Sequence, residues 1–212
     1  AGEKVGIVGR SGAGKTTLSV QIVKDLLKKG YKVEELNFLS SDSYLHPGSG
    51  FRYERLPGGA RFTILRGQGI YNLKKLYKDI QLLKQGKIIE VPADIHAPDY
   101  IPGQKQRRID GSKLKVLIFL DFTCLGIDER IFKELDLVLS IVFKDDSVRL
   151  ERRLERDTRP QEEGGDRKDT VEHVLNDFVE KQFQEIYDTM EYLVLQKTPN
   201  RLIVWEQDTN KI

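Results

Sequence analysis

The sequence predicts an α/β fold in which a parallel, doubly wound sheet is flanked by helices. Strand and helix signals alternate from the N-terminus, a glycine-rich turn joins the first strand to the first helix, and two later apolar runs have the length of buried strands. A strand, a helix and a second strand in this order form a βαβ unit with a right-handed crossover. The 212 residues suffice for one such domain, and we treat 1–212 as a single unit.

The first βαβ unit is expected within the first forty-two residues. Residues 4–8 form an apolar run that predicts a buried strand, and residues 16–29 carry apolar side chains at helical spacing before Gly30 ends the helix. Residues 31–39 predict a second strand, which delivers Asp42 to the carboxyl edge of the sheet.

After one segment of different composition, the remaining chain continues the alternation of predicted strands and helices. Residues 45–69 contain closely spaced glycines and prolines, so we expect an irregular or hairpin-containing excursion on the substrate side. Further strands are expected at 88–91, 115–120, 137–143, 192–195 and 201–205, and further helices at 71–85, 128–135, 146–157 and 170–190.

Two of these segments carry more specific expectations. The helix at 146–157 is strongly charged, with Val148, Leu150 and Leu154 as the thin apolar stripe that should pack on the domain. The basic segment through Arg107 and Arg108 follows a proline-containing stretch, and we expect a loop there.

Composition and charge limit the classes of partner. The chain is 39% hydrophobic and 32% charged, and its 35 basic and 33 acidic residues leave a net charge of +2. This balance argues against bulk nucleic-acid or membrane partners, and no window approaches the roughly 20 apolar residues of a membrane span. Cys124 is the only cysteine, which favours a buried thiol in a reducing, cytoplasmic setting. A homo-oligomer is compatible with the sequence, which does not decide the oligomeric state.

The strongest motif is the glycine loop Gly9-Arg10-Ser11-Gly12-Ala13-Gly14-Lys15-Thr16. Its glycines allow the backbone to approach phosphates closely at a helix N-terminus, Lys15 adds a cation, and the Thr16 hydroxyl can ligate magnesium. A glycine-rich turn without function would not explain the Lys-Thr pair after the last glycine. This P-loop predicts an NTPase-type fold that binds Mg-ATP. The residues expected to bind the nucleotide are Gly9, Ser11, Gly12, Ala13, Gly14, Lys15, Thr16, Thr17 and, from a later helix, Arg159.

Two aspartates follow predicted strands. Asp42 ends the strand after the P-loop helix, where a carboxylate could accept a proton from an attacking hydroxyl. Asp121 ends the apolar run at 115–120, the usual place for a carboxylate that holds Mg²⁺ directly or through water. Each could instead open a turn or cap a helix, so neither aspartate is decisive alone.

The third signal is a cluster of arginines on the charged helix. The charged helix leads into a glycine-containing segment, so residues 156–168 suit a lid that closes over a triphosphate. The arginines would then neutralise charge in the transition state. The alternative is a solvated helix face with salt bridges to the interleaved glutamates. The arginines of the cluster are Arg149, Arg152, Arg153, Arg156 and Arg159.

Taken together, these residues resemble the uridine kinase and phosphoribulokinase-like family of P-loop kinases, over the stretch from Lys4 to Arg159. Three departures are visible. The family has Glu-Gly after its central strand, where this chain has Asp121-Phe122. Leu45 stands where nucleoside kinases tend to carry an aromatic residue, and Ala93 where they often carry a tyrosine. The matching motifs are Gly9 to Thr17, Ser41-Asp42-Ser43-Tyr44, His46-Pro47, Gly86-Lys87 before Val91-Pro92, Asp94, and the run from Asp136 to Asp157.

The resemblance implies roles for individual residues. Lys15 and Thr16 would bind Mg-ATP, Asp42 would be the general base, and the catalytic lid arginines would be Arg153 and Arg156. The motif residues Tyr44 and Asp94 and the loop histidines His46 and His96 are expected to line the acceptor site.

The function that follows is transfer of the γ-phosphoryl group of ATP to a hydroxyl of a small molecule. The resemblance implies a nucleoside or a sugar phosphate as the acceptor. Two alternatives remain open: a switch or assembly ATPase that uses water as the nucleophile, and a degenerate nucleotide-binding protein that regulates a partner.

Overall fold

The computed structural model describes residues 2–10, 12–45, 52–56, 59–63, 71–94, 101–121, 128–143, 145, 147–159, 171, 174–175 and 202–207. Its strands are β1 (Glu3–Gly9), β2 (Leu36–Ser40), β3 (Arg52–Leu56), β4 (Gly59–Thr63), β5 (Ile88–Pro92), β6 (Gln106–Asp110), β7 (Val116–Asp121), β8 (Leu137–Phe143) and β9 (Leu202–Gln207). Its helices are α1 (Lys15–Lys28), α2 (Leu73–Lys84), α3 (Glu129–Lys133) and α4 (Ser147–Thr158), with short 3₁₀ helices at Val33–Glu35 and Ser41–Tyr44.

The central sheet confirms the predicted parallel architecture. Five strands lie in the order β2-β7-β1-β8-β9, and every neighbouring pair in the sheet is parallel. The strand order reverses direction around β1, since β2 lies on one side of it and β8 on the other. In a sheet of this kind ligands bind at the carboxyl edge near the reversal, which is where the glycine loop follows β1.

The sheet is covered on both faces, and successive strand residues alternate between the two cores. Ile7 belongs to the core beneath α1, whereas its neighbour Val8 belongs to the core beneath α2. Phe38 and Leu39 on β2 divide in the same way. This alternation follows from the two-residue period of a strand, and it explains why the central strands are apolar throughout.

Two expectations about strands are wrong. Residues 31–39 do not form one strand, because Val33–Glu35 is a 3₁₀ turn and β2 starts at Leu36. The basic segment expected as a loop is strand β6, which pairs antiparallel with β5. Arg107 and Ile109 are buried while Arg108 is exposed, so β6 has the two-residue period of a strand. One of the two buried residues is a charged arginine, however, and an apolar alternation is therefore not visible in the sequence.

The excursion contains the hairpin that the sequence allowed. Strands β3 and β4 pair antiparallel, with Leu56 opposite Gly59 at the turn end. At the base of the excursion, Leu45 forms an isolated antiparallel bridge with Tyr71. The backbone N–H of Asn72 also donates to the carbonyl oxygen of Tyr44 at 2.7 Å. The chain therefore leaves and re-enters the domain at the same point.

The apolar stripe expected on the charged helix is also wrong. In α4, Val148, Leu150 and Leu154 are only half-buried, while the fully packed face carries Arg149, Arg153 and Asp157. These three residues are spaced by four, which places them one above another along a single helix face. The helix thus docks on the domain through charged side chains.

The C-terminal expectations fall partly outside the described residues. Of the helix expected at 170–190, positions 171, 174 and 175 are described and helical, and Val174 is fully buried. The strand expected at 192–195 lies outside them, whereas the one expected at 201–205 corresponds to β9. Among the helices that are described, none is both long and apolar enough to cross a bilayer.

Candidate active site

The glycine loop connects β1 to α1 in the geometry of a phosphate-binding turn. Gly12 and Gly14 have φ angles of 81° and 86°, a left-handed region that favours glycine. Gly14 caps α1, and the N–H of Ala13 donates to the carbonyl oxygen of Arg10 at 3.1 Å. The loop therefore closes tightly on itself directly at the positive end of a 14-residue helix.

Lys15 provides a cation at the same place. Its Nζ donates to the carbonyl oxygens of Gly9 and Arg10, at 2.7 and 3.2 Å. No acidic residue lies in the first turn of α1, so nothing on that turn competes with an anion. The loop, the helix terminus and the ammonium group together fit the phosphates of a nucleotide.

The two threonines of the motif open the helix and are exposed. Thr16 and Thr17 lie in the first turn of α1, and the role of the Thr16 hydroxyl as a metal ligand stays a prediction. The fully buried Ser19 donates its hydroxyl to the carbonyl oxygen of Thr16 at 2.7 Å, which secures this turn.

Helix α4 packs directly against the glycine loop. A Cβ atom placed on Gly12 would stand 2.9 Å from the carbonyl oxygen of Arg149 and 3.1 Å from Cγ of Arg153. A Cβ atom on Gly14 would stand 4.0 Å from Nη1 of Arg152. The arginine-rich helix is thus brought to the loop, and a side chain at Gly12 would separate the two.

The two arginines predicted to be catalytic are engaged within their own helix. Nε of Arg153 lies 3.2 Å from one carboxylate oxygen of Asp157, and Nε of Arg156 lies 2.5 Å from the other. Burial alone would raise the pKa of Asp157, but the hydrogen bonds and charges of Arg156 and Arg153 outweigh burial and hold that pKa below its usual value. Arg159 pairs with Glu155 in the same way. Their catalytic and nucleotide-binding roles stay predictions.

Asp42 lies at the carboxyl edge of the sheet, after a strand that is two positions away from the strand preceding the loop. The sheet register aligns Ser40 with Leu120, and Asp121 with Val8. Asp42 is exposed in the short helix Ser41–Tyr44, and its backbone N–H donates to the Ser40 hydroxyl at 3.2 Å. Because neighbouring strands are about 4.8 Å apart, β2 and β1 are separated by roughly 10 Å at this edge, with β7 between them.

Tyr44, predicted to line the acceptor site, lies in the core. It is 2% exposed, and its hydroxyl donates to the carboxylate of Asp79 on α2 at 2.9 Å. Lys75 pairs with the same carboxylate at 2.5 Å and lies over the Tyr44 ring. Burial and the charge of Asp79 raise the pKa of Tyr44, so the hydroxyl remains a donor. In this position Tyr44 offers little surface to a ligand but anchors the turn that carries Asp42.

Arg107 is a second anchor of this region, a structural role that the sequence did not indicate. It is 5% exposed on β6, and Nη2 donates to the carbonyl oxygen of Phe38 on β2 at 2.8 Å. Its charge also reaches Tyr44, where it lowers the pKa against the stronger raising effects. Asp94, just beyond β5, is likewise buried at 8% exposure. The two-residue alternation of β6 was the one signal that could have identified Arg107.

Several predicted site residues cannot be placed. Ser11, His46 and His96 lie outside the described residues, as does the segment 160–168 of the expected lid. Only the backbone of Asp121 is described, and it pairs with β1 beside the loop. Within the part of the chain that is described, no three His, Cys, Asp or Glu side chains gather as a metal site.

Comparisons with known proteins agree with this geometry. The model of the phosphoribulokinase / uridine kinase family matches residues 5–203. An adenylyl-sulfate kinase of Pyrococcus abyssi, itself assigned as probable, is 45% identical over 53 residues, a match that spans 25% of this chain and 30% of that enzyme. The chain therefore matches less than a third of the length of this curated relative.

Solved structures support the fold over nearly the whole chain. A D-glycerate 3-kinase from Cryptococcus neoformans is 14% identical with a TM-score of 0.63, covering 97% of this chain and 85% of that one. A protein assigned as a fructose transport system kinase, from Silicibacter sp. TM1040, is 15% identical with a TM-score of 0.57, covering 96% of this chain and 89% of that one. At these identities the likeness concerns the fold. With the family model matching from β1 into β9, this chain belongs to the phosphoribulokinase / uridine kinase family.

Proposed function

We propose that this protein transfers the γ-phosphoryl group of ATP to a hydroxyl of a small molecule. The observation that carries the proposal is the register at the carboxyl edge of the sheet, which aligns Val8 with Asp121 and Ser40 with Leu120. The glycine loop begins one residue after Val8, and Asp42 follows Ser40 by two. A phosphate-binding loop, a strand-end carboxylate and an exposed candidate base therefore share one edge.

The nucleotide side of the site uses residues whose geometry suits an anion. The loop amides around Gly12 and Gly14, the N-terminus of α1 and Lys15 would bind the phosphates. Thr16 and Asp121 are the residues that we propose to hold Mg²⁺, which neutralises charge on the transferring group when it is bound. Membership of a kinase family supports ATP as the donor.

On the acceptor side, Asp42 is the proposed general base. Its carboxylate would take the proton as the acceptor oxygen bonds to the γ-phosphorus and the bond to the leaving ADP breaks. The support for this role is its exposure at the sheet edge, on a turn fixed by the contact between Tyr44 and Asp79. Positioning of this kind is a large part of phosphoryl-transfer catalysis.

The acceptor class is proposed to be a nucleoside or a sugar phosphate, as the sequence motifs suggested. The relatives named above include an adenylyl-sulfate kinase and a D-glycerate kinase, so hydroxy acids and nucleotide-like acceptors belong in the same test. We also propose a cytoplasmic location, with neither nucleic acid nor membrane as a partner, on the near-neutral composition of the chain.

The test is an acceptor screen with ATP and magnesium that measures ADP release. Nucleosides, sugar phosphates, other polyols and hydroxy acids are compared with a reaction that lacks acceptor. Asp42→Asn should retain ATP binding but lose about 10²- to 10⁴-fold in turnover, the usual contribution of a general base. Asp25→Asn, on an exposed aspartate near the far end of α1, is the matched control and should turn over normally.

Two outcomes would contradict the proposal. ADP release that is equal with and without every acceptor would favour an ATPase that uses water as the nucleophile. Signal no greater than that of Lys15→Ala for all acceptors, combined with intact ATP binding, would favour a nucleotide-binding regulatory protein.

A further inference from the structure

A charged pair lies on α2, the helix that follows the excursion. Asp79 is 6% exposed, and Nζ of Lys75, one helical turn before it, lies 2.5 Å from its carboxylate. A carboxylate that is taken out of water is stable only where charged or hydrogen-bonding partners replace its hydration. The other buried residues of α2 are apolar: Leu73, Leu76, Ile80 and Leu83.

The stability of α2 does not account for this pair. Lys75 lies in the first turn, where the positive end of the helix dipole disfavours a cation, and that turn contains no acidic residue. In a pair spaced by four, a lysine that precedes its acidic partner is also the weaker of the two orientations. Because 41% of the Lys75 side chain is exposed, water weakens the attraction further. The pair is better explained by what the Asp79 carboxylate holds in place.

The residue that this carboxylate holds is Tyr44. The Tyr44 hydroxyl donates at 2.9 Å to Oδ2 of Asp79, the same oxygen that Lys75 contacts. Nζ of Lys75 also lies 5.1 Å from the centroid of the Tyr44 ring, so the ammonium group contacts both the carboxylate and the phenol. Tyr44 is the last residue of the short helix Ser41–Tyr44 and follows Asp42 by two.

Backbone contacts hold the same turn from its other side. The side-chain oxygen of Asn72 accepts from the backbone N–H of Lys75 at 2.9 Å, which caps α2. The backbone N–H of Asn72 donates to the carbonyl oxygen of Tyr44 at 2.7 Å. Tyr44 is therefore bonded to the start of α2 through its carbonyl group and to the second turn of α2 through its hydroxyl. A residue held at both ends has little freedom to rotate.

We propose that Lys75 is a positioning residue for Asp42, acting through Asp79 and Tyr44. The ammonium group balances the buried carboxylate, the carboxylate holds the hydroxyl, and the hydroxyl holds the turn. A buried charged pair that adds little stability can still select one conformation, and a displacement of about 1 Å at a reacting group can cost about 10²-fold in rate. The inference rests on the proposed role of Asp42 as general base and does not involve the nucleotide site.

The experiment measures ADP release by the full chain with ATP and magnesium, using uridine, ribose 5-phosphate and D-glycerate as acceptors. Lys75→Met keeps the apolar stem and removes the charge, and it should lower kcat about tenfold. Its affinity for a non-hydrolysable ATP analogue, measured by calorimetry, should not change. Lys75→Arg restores a cation and should recover most of the turnover. Lys78→Met, an exposed lysine on the same helix, is the matched control and should turn over normally.

A double-mutant cycle separates positioning from a general loss of structure. If Lys75 acts through Asp42, adding Lys75→Met to Asp42→Asn should lower kcat no further, because the base whose position it fixes is already absent. An equal fall in both backgrounds would show a structural role alone and overturn the inference. Thermal unfolding checks that each variant is folded, and Lys75→Gln carries the test if Lys75→Met is not.

The outcomes distinguish this inference from the proposed function. If Lys75→Met turns over like Lys78→Met while Asp42→Asn loses turnover, the role of Lys75 is wrong and the proposed function stands. If Asp42→Asn turns over normally, Asp42 is not the base and both are wrong. If none of the three acceptors raises ADP release above the reaction without acceptor, the proposed acceptor classes and this inference are both overturned.

Discussion

Single residues decide how the charged helix α4 is held on the domain. Asp157 has no exposed surface, and its two carboxylate oxygens contact Arg153 and Arg156. These contacts depress its pKa in the folded protein, so the native state favours the ionised form more than the unfolded state does. The stabilisation is complete above the unfolded pKa of about 3.9 and is lost as the pH falls through the lower folded pKa.

Replacing this carboxylate should therefore produce a pH-dependent loss of stability. Asp157→Asn is expected to lower the free energy of unfolding by about 1.5–3 kcal/mol at pH 7, the contribution of hydrogen bonds to charged groups. The difference from the unaltered protein should shrink below about pH 4. Urea unfolding between pH 3 and 7 measures both. Asp25→Asn, whose carboxylate is exposed, is the control, and an effect of equal size there would contradict the role of Asp157.

The Tyr44 hydroxyl holds the turn that carries Asp42. Tyr44→Phe removes the hydroxyl that donates to Asp79 and leaves a buried carboxylate with one partner fewer. The expected loss is about 1–3 kcal/mol of unfolding free energy. If the turn positions Asp42, turnover should fall while ATP affinity is unchanged, and this split is measured by kinetics together with calorimetry. Tyr77→Phe, on the same helix as Asp79, keeps its ring and should change neither quantity.

At the scale of secondary-structure elements, the β5–β6 hairpin is tied to the central sheet by a buried cation. Arg107 reaches across to the carbonyl oxygen of Phe38, four residues before Asp42. This bond explains how a two-stranded unit outside the main sheet is fixed next to the site. It also explains why the expectation of a loop at Arg107 was wrong, since a buried arginine interrupts the apolar alternation by which strands are recognised.

Breaking this bond should loosen the hairpin. Arg107→Met keeps most of the apolar stem but leaves the Phe38 carbonyl without its donor, at a cost of about 1–3 kcal/mol. Amide hydrogen exchange should become faster in 88–92 and 106–110 than in β7 or β1. The neighbouring Arg108→Met is the matched control, because Arg108 is exposed and its nearest contact with Glu90 is 3.8 Å. Equal exchange in both variants would show that Arg107 does not anchor the hairpin.

At the scale of the whole molecule, the glycine loop, α1 and α4 belong to the folded state only. A nucleotide that binds this site and not the unfolded chain should therefore stabilise the protein. At a concentration 100 times its dissociation constant, the gain is about 2.7 kcal/mol. Thermal unfolding with and without Mg-ATP measures it, and Lys15→Ala, which lacks the cation, should show little shift. An equal shift in both proteins would mean that ATP binds elsewhere.

Local patterns were sufficient for much of this protein. The glycine loop, the helix after it and the apolar central strands follow from short-range sequence, because turn geometry and the periods of helix and strand involve neighbouring residues. The parallel direction of the strands followed as well, since strands joined through a helix in a βαβ unit run parallel. Asp42 at the sheet edge was predicted on the same ground.

Only the tertiary structure decided which charges are buried and what they contact. The sequence placed α4 on the domain by its apolar residues, whereas Arg149, Arg153 and Asp157 pack there, and the carboxylate of Asp157 is paired with Arg153 and Arg156 within one helical turn. The positions of Arg107 on Phe38 and of Arg152 beside Gly14 likewise depend on residues far apart in the chain. A charged side chain appears solvent-exposed in any local pattern, and only the packing of the folded chain decides whether it is buried with its partners.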